Sequence, residues 1–501
     1  MGSMAMEDMA TDEMATDETA TDETAMEETA MDAIAPQGDV LGAMDAVAIG
    51  EKIGAGDISA VEAISAAIAR LQRVEPRLNA VACNCFEQAL AQAGKVSAEQ
   101  RRLPLSGVPF AIKDNTGLAG LPTRFGSRAT PDQVATSDDD ITRCFLATGL
   151  IPIAKTALPE FGLTATTERS HGPPTRNPWH TTYSTGGSSG GAAALVAAGV
   201  VPVAHANDGG GSIRIPAACC GVVGLKPSRD RLPTQAVADK LPINLLAEGI
   251  VSRSVRDTAA FYAEAERLYP NPALPAIGDV RSAGRQRLRI GLCTEHPAGG
   301  QCDPEVVATV ERVARVCETL GHRLEQISAP AASQMADDFL LYWARLAAVL
   351  RYTGRFAFGR DFDRRQLEPL TEQLSRHYLA RFWRGPRAIA RLRQFAAHYR
   401  SQFDHYDLLL TPVLATPPVE LGYLGPELDF ATVSERLRHY AAFTPSQNVA
   451  GTPAVSLPLG RSSVGLPIGV QFAAAMGQER RLLEIAYELE QACPWSYPGA
   501  T

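Results

Sequence analysis

Gly186-Gly187-Ser188-Ser189-Gly190-Gly191-Ala192-Ala193-Ala194-Leu195-Val196-Ala197-Ala198-Gly199-Val200-Val201-Pro202-Val203-Ala204-His205-Ala206-Asn207-Asp208-Gly209-Gly210-Gly211-Ser212-Ile213-Arg214 places two glycine-serine clusters on either side of an Ala-rich run and an apolar run. The Ala-rich run, 190–199, reads as a buried helix, and 200–206 reads as a strand ending just before the second cluster. Upstream, Val108–Ile112 is another short apolar run ending at Lys113, and Leu150–Ala154 is a third, followed by Lys155. Strands alternating with helices predict an α/β fold. Its core would be a mostly parallel or mixed twisted sheet covered by helices on both faces.

Further out, Ser59 with Glu62 three residues later matches a capping box, and Val61, Ile64, Ile68 and Leu71 follow at helical spacing. A Pro-rich linker at Tyr269–Ile277 precedes a largely helical insert at about 286–400, where Phe339, Trp343, Leu346 and Leu350 share one helical face. Core-like runs return at Tyr406–Pro412 and Gly451–Leu459, and a last helix is expected over Glu479–Cys493. One domain over 44–497, closed by late strands, accounts for this order. Residues 1–43 are expected to form a disordered, acidic, low-complexity tail, because repeats such as Ala15-Thr16-Asp17-Glu18 cannot build a core.

The hydrophobic share of 45% and charged share of 21% suit a globular chain of 501 residues. The net charge of −9 becomes +3 once the twelve acidic residues of 1–40, a stretch without Lys or Arg, are set aside. A near-neutral body carries no nucleic-acid footprint. Nine cysteines without metal spacing read as reduced thiols in a cytoplasmic protein. No apolar run reaches the roughly 20 residues that a membrane span needs.

Ser212 follows a strand and three glycines. Successive amides of Gly209, Gly210, Gly211 and Ser212 can turn inward to form an anion nest, which would stabilise the oxyanion of an acyl-transfer transition state. A serine bordering its own oxyanion hole is well placed as a nucleophile, but it needs a base, and no histidine is placed by a recognisable motif. Gly186-Gly187-Ser188-Ser189-Gly190 formally matches G-x-S-x-G, yet a polar loop rather than a strand precedes it. As a phosphate loop it lacks the Lys-[Ser/Thr] after its last glycine. A serine–lysine pair remains, with Lys113 at a strand end. To act as a base that lysine must be neutral, which burial can achieve.

These stretches resemble the amidase signature family. The resemblance rests on both clusters, on Val108-Pro109-Phe110-Ala111-Ile112-Lys113-Asp114-Asn115, on Gly224-Leu225-Lys226-Pro227-Ser228, and on Asn448–Ala454 through Gly465–Gln471. It covers about residues 44–495. It implies a Ser-cis-Ser-Lys triad of Ser212, Ser188 and Lys113, with a cis peptide at Ser188. Ser188 and Ser189 are adjacent, and the family's usual separation from the nucleophile, 24 residues here, selects Ser188. Asp208, Arg214 and Ser189 would support the loop and the relay. No cofactor or metal is implied. Ile215 departs from the glutamine usual in glutamine-hydrolysing amidotransferase subunits. The flanks Leu158–Gly162 and Asn207–Gly210 resemble bacterial 6-aminohexanoate cyclic-dimer hydrolase and aryl acylamidase type enzymes.

The resulting expectation is an amide hydrolase acting on a small-molecule carboxamide, anilide or cyclic amide, with no nucleic-acid partner and a homodimer left open. Alternatives are a glutaminase subunit of a tRNA amidotransferase, acyl transfer to a non-water nucleophile, and a non-enzymatic binding protein of the same fold. Residues 230–250 and the helical insert are expected to wall the substrate pocket. Segment 351–400, with twelve arginines against four acidic residues interleaved with aromatics, is compatible with solvated helix faces, an acid-binding cap or a membrane-facing patch.

Overall fold

The computed structural model describes residues 38–234, 241–329 and 333–498. Most of the expected tail, residues 1–37, lies outside the described residues, as does 235–240 within the expected pocket wall. Along the chain the strands are β1 (Val81–Asn84), β2 (Pro109–Lys113), β3 (Ile151–Thr156), β4 (Arg176–Asn177), β5 (His180–Ser184), β6 (Val203–Asp208) and β7 (Val223–Lys226). They continue with β8 (Ala247–Ser252), β9 (Arg289–Leu292), β10 (Arg323–Gln326), β11 (Leu408–Pro412), β12 (Ala454–Arg461) and β13 (Pro467–Ala474).

Eleven of these form one sheet in the order β1-β3-β2-β6-β8-β7-β12-β13-β11-β9-β10, while β4 and β5 pair separately. The sheet is mixed and flanked by helices. Its balance lies toward antiparallel pairing, with six antiparallel pairs against four parallel ones. The reason is local. Parallel neighbours need a crossover, and helix–strand alternation marks only β2–β3–β6 and β9–β10–β11. β12 and β13 instead form a hairpin across Ser462–Leu466, and they join β7 to β11 near the middle of the sheet.

The region 286–400 is largely helical, but β9 and β10 within it extend the main sheet. The part that lies wholly outside the sheet begins at the helix Ser333–Phe358 and continues through Pro369–Leu379 and Gly385–Ser401. At the N-terminal end, the Ser59–Glu62 capping box is formed on the helix Ala60–Leu78. Its buried stripe runs through Ile64, Ile68, Leu71, Val74 and Leu78, whereas Val61 is exposed. Among the described residues no helix is long and apolar enough to cross a membrane.

Strand direction places the site. β2, β3 and β6 run parallel, and β7 shares their direction because both β6 and β7 pair antiparallel with β8. The carboxyl ends of these four strands therefore meet at one edge, which carries Lys113, Lys155, Asp208 and Lys226. The Ala-rich helix Gly190–Ala197 is buried throughout, so it fixes the first glycine-serine cluster against that same edge.

Candidate active site

Lys113 is the last residue of β2 and is fully buried. Its Nζ lies 2.7 Å from Ser188 Oγ, 2.8 Å from Ser189 Oγ and 2.7 Å from Asn207 Oδ1. Burial pulls its pKa down to about 7, against the pull of the Glu248 and Asp208 carboxylates. A neutral amine has two N–H donors and one lone pair. Asn207 Oδ1 can only accept, so it takes one N–H. Ser189 Oγ donates to the Asn207 carbonyl at 3.4 Å and so accepts the second. That leaves the Ser188 hydroxyl as the group able to give its proton to the lone pair.

The backbone under Lys113 is braced from the neighbouring strand. Its N–H donates to His205 Nδ1 at 3.3 Å, and His205 Nε2 is 2.8 Å from Glu248 Oε2. This arrangement corresponds to a neutral imidazole that accepts at Nδ1 and donates at Nε2.

The peptide between Gly187 and Ser188 is cis. Gly187 packs against the Thr166 backbone so closely that an added Cβ would lie 2.5–2.7 Å from it. Only glycine fits there, and this sets the position of the next residue. Ser212 sits at the start of the turn into the helix Arg214–Cys220 and is 9% exposed. Gly187, Gly210 and Ser212 line one apolar pocket of about 130 Å³. Among the described residues no hydrogen bond joins Ser188 to Ser212. Contacts of this kind commonly tighten only when substrate is bound.

One of the expected oxyanion donors has a partner within its own loop. The Gly211 amide donates to Asp208 Oδ1 at 2.7 Å and the Ile213 amide to Asp208 Oδ2 at 3.2 Å. Of the four amides expected to face an oxyanion, that of Gly211 is therefore engaged by Asp208 in this structure. Its own φ of 133° is what turns it inward.

Comparison with known proteins places this geometry. The amidase family model matches residues 62–483. A putative amidase of Mycobacterium leprae is 49% identical over 459 residues, covering 91% of this chain and 97% of that protein. The structure of 6-aminohexanoate cyclic dimer hydrolase complexed with substrate superposes with a TM-score of 0.83 at 32% identity, over 91% of this chain and 98% of the other. A bacterial aryl acylamidase structure gives 0.78 at 26% identity, over 91% and 99%. The chain belongs to the amidase signature family. It is an amide hydrolase of that family, an enzyme acting on amide C–N bonds.

As in the sequence reading, Asp208 and Arg214 flank Ser212. Their ion pair is bidentate, at 3.0 and 2.9 Å, and both side chains are fully buried. Burial alone would push Asp208 up; Arg214 outweighs it and holds the carboxyl at about 2. Arg214 also donates to Gln447 and Gln471 at 2.7 and 2.8 Å, to Asn448 Oδ1 at 2.7 Å and to the Thr444 carbonyl at 2.9 Å. Asn448 in turn donates to the Asp208 carbonyl and carboxylate, both at 2.8 Å. The late strands and the Pro445–Ala450 helix thus lock the second cluster of this amidase in place.

Sequence reasoning missed Asn207, His205 and Glu248. Period-two alternation along β6 could have found the first two, because residues 205 and 207 face one side and Lys113 lies on the adjacent strand. It also missed Glu160, whose burial raises its pKa to about 7. Glu160 accepts from Ser127 and Thr371 and, at 2.9 Å, from the Glu368 amide. The helical layer is thereby tied to the Phe161-Gly162 turn, where Gly162 adjoins Ser188. Thr234 and Leu246 line a second cavity, so the expected wall at 230–250 falls in part on described residues.

Proposed function

We propose that this amidase works through a seryl acyl-enzyme with Ser212 as nucleophile, Ser188 as proton relay and Lys113 as base. The observation that carries the reading is Lys113, a fully buried amine held at about 7 within 2.7 Å of Ser188 Oγ. Neutral Lys113 takes the Ser188 proton as Ser188 takes that of Ser212, and Ser212 Oγ bonds to the carbonyl carbon. The amides of Gly209, Gly210 and Ser212 face the oxyanion; one such donor is worth about 2.7–4 kcal/mol. The intermediate collapses by breaking the C–N bond, and Ser188 returns the proton to the departing amine. Water then repeats the sequence on the ester, releasing the acid and regenerating Ser212.

Ser212→Ala should abolish amine release from anilide and carboxamide substrates, and should abolish labelling by a fluorophosphonate, with an unchanged circular dichroism spectrum. Turnover or labelling at the wild-type level in that variant would overturn the assignment.

A further inference from the structure

We infer that the site is bipartite: it takes an amide bearing an apolar group on each side of the scissile bond, and Trp343 is the specificity-determining wall between the two halves. The inference rests on the function proposed above. Two cavities approach the second glycine cluster. The inner one, about 130 Å³, carries Ser212 and Gly210 and reaches the surface at Arg438; the outer one, about 780 Å³, carries Gly209 and reaches the surface at Asp140. Among the described residues only Leu163 and Trp343 line both.

Trp343 is held in that position. Its indole N–H donates to the Leu163 carbonyl at 3.1 Å, and its ring stacks on Phe339 at 5.6 Å and 17°. An added Cβ on Gly209 would lie 3.2 Å from the Trp343 ring, and one on Gly210 would lie 3.0 Å from the Phe339 ring. Two rings of one helix therefore lie over Gly209 and Gly210, the first two of the three glycines preceding Ser212. An amide that occupies both cavities must pass Trp343 with its carbonyl at those glycines.

The chemistry of each half follows from its cavity. The inner pocket is walled by groups such as Leu340, Leu370, Leu374 and Phe430. Its one charged lining residue, Arg438, is exposed and paired with Asp337. Its volume is close to the ~150 Å³ of an apolar cavity that holds benzene, so it admits one ring or a short branched chain. Ser212 lines only this pocket, so the acyl group that stays on Ser212 occupies it. The amine occupies the outer chamber, whose apolar wall is Phe125, Phe161, Leu350 and Phe358 and whose polar side is Asp138, Asp139 and Asp140, and departs through it. An amide with a charged acyl group, such as glutamine, leaves its charge unpaired there.

The test is two matched series of substrates, read as kcat/KM by amine release. One varies the acyl group (acetyl, butanoyl, benzoyl, decanoyl) on 4-nitroaniline, and the other varies the amine (ammonia, aniline, 4-butylaniline) on a benzoyl group. Wild type should prefer benzoyl to decanoyl by at least about tenfold, since one methylene too many in an apolar pocket already costs that much. It should also prefer the larger amines to ammonia.

Trp343→Ala, which joins the chambers, should raise the decanoyl-to-benzoyl ratio about tenfold or more; Trp343→Phe, which keeps a ring but loses the indole donor, should move it less. An unchanged ratio in a folded Trp343→Ala variant would overturn the inference, as would a limit on amine rather than acyl size. Fluorophosphonate labelling of Ser212 in the same samples separates the two levels. A labelled enzyme without size discrimination refutes only the bipartite site, whereas an unlabelled wild type refutes the acyl-enzyme as well.

Discussion

Lys113 ties activity and stability to a single proton. At a pKa of about 7 half of the lysine is neutral at pH 7; an ordinary lysine near 10.4 would be neutral in roughly one molecule in 2,500. The pH profile of kcat/KM reports the free enzyme, so it should rise with unit slope from pH 5 to about 7 and level off above. Activity at pH 5 should be about one-hundredth of the plateau.

The same group acts on folding with a definite sign. Its folded pKa lies below its unfolded value, so between about 7 and 10.5 the unfolded chain binds a proton that the folded chain does not, and stability rises with pH across that window. Each tenfold change in proton affinity is about 1.4 kcal/mol, so the full span is on the order of 5 kcal/mol. Lys226, also fully buried and pulled to about 7 by burial and by Arg214, adds a slope of the same sign. The difference between wild type and Lys113→Met, followed by urea denaturation from pH 6 to 10, isolates Lys113. Lys226 donates to the Pro227 carbonyl and, among the described residues, has no hydrogen bond to Ser188 or Ser189, so Lys113 rather than Lys226 sets the activity limb. A kcat/KM profile flat from pH 5 to 9, or a break that stays near pH 10, would refute the reasoning. So would identical stability slopes in the two proteins.

Replacing Ser188 with Ala should cost kcat at least a hundredfold more than replacing Ser189, because the Ser189 proton is engaged by the Asn207 carbonyl; equal losses in steady-state assays would remove Ser188 from the relay. Asp208→Asn should destabilise the fold by about 3–5 kcal/mol in denaturant titrations, since it leaves the fully buried Arg214 without its counter-ion; a change under 1 kcal/mol would mean that the surrounding amides suffice.

Much of this architecture was legible in the order of residues, and what was not legible has physical reasons. The runs around 108–113, 150–156 and 200–208 became strands because short apolar runs next to glycine clusters have few alternatives, and Lys113 was placed by ending one of them. The antiparallel half of the sheet was harder to read, because β7 meets the β12–β13 hairpin only after more than 200 residues of separation. Long-range closure likewise hides the Thr444–Gln471 contacts to Arg214: nothing near residue 214 names its partners.

The hydrogen bond from Gly211 to Asp208 was hidden for another reason. Four consecutive amides cannot all face one anion when the aspartate that opens the loop competes for the amide three residues on, as an aspartate does at a helix start. Asp208 was in view, and its short side chain already implied the capture.

The remaining glycines meet two demands at once. Residues 209 and 210 must leave their amides open toward a carbonyl oxygen, and they must also let Trp343 and Phe339 lie directly over the loop. The helical face 339–343–346–350 was readable from its period, but its function was not, because periodicity shows that a face is buried and not what it is buried against. Here one part of that face packs over the glycines, and the rest lines the cavities on either side of Trp343. The glycine run is therefore also a contact surface for the helical layer. A substitution on that layer can then change which amide reaches Ser212 without touching the serines or the lysine.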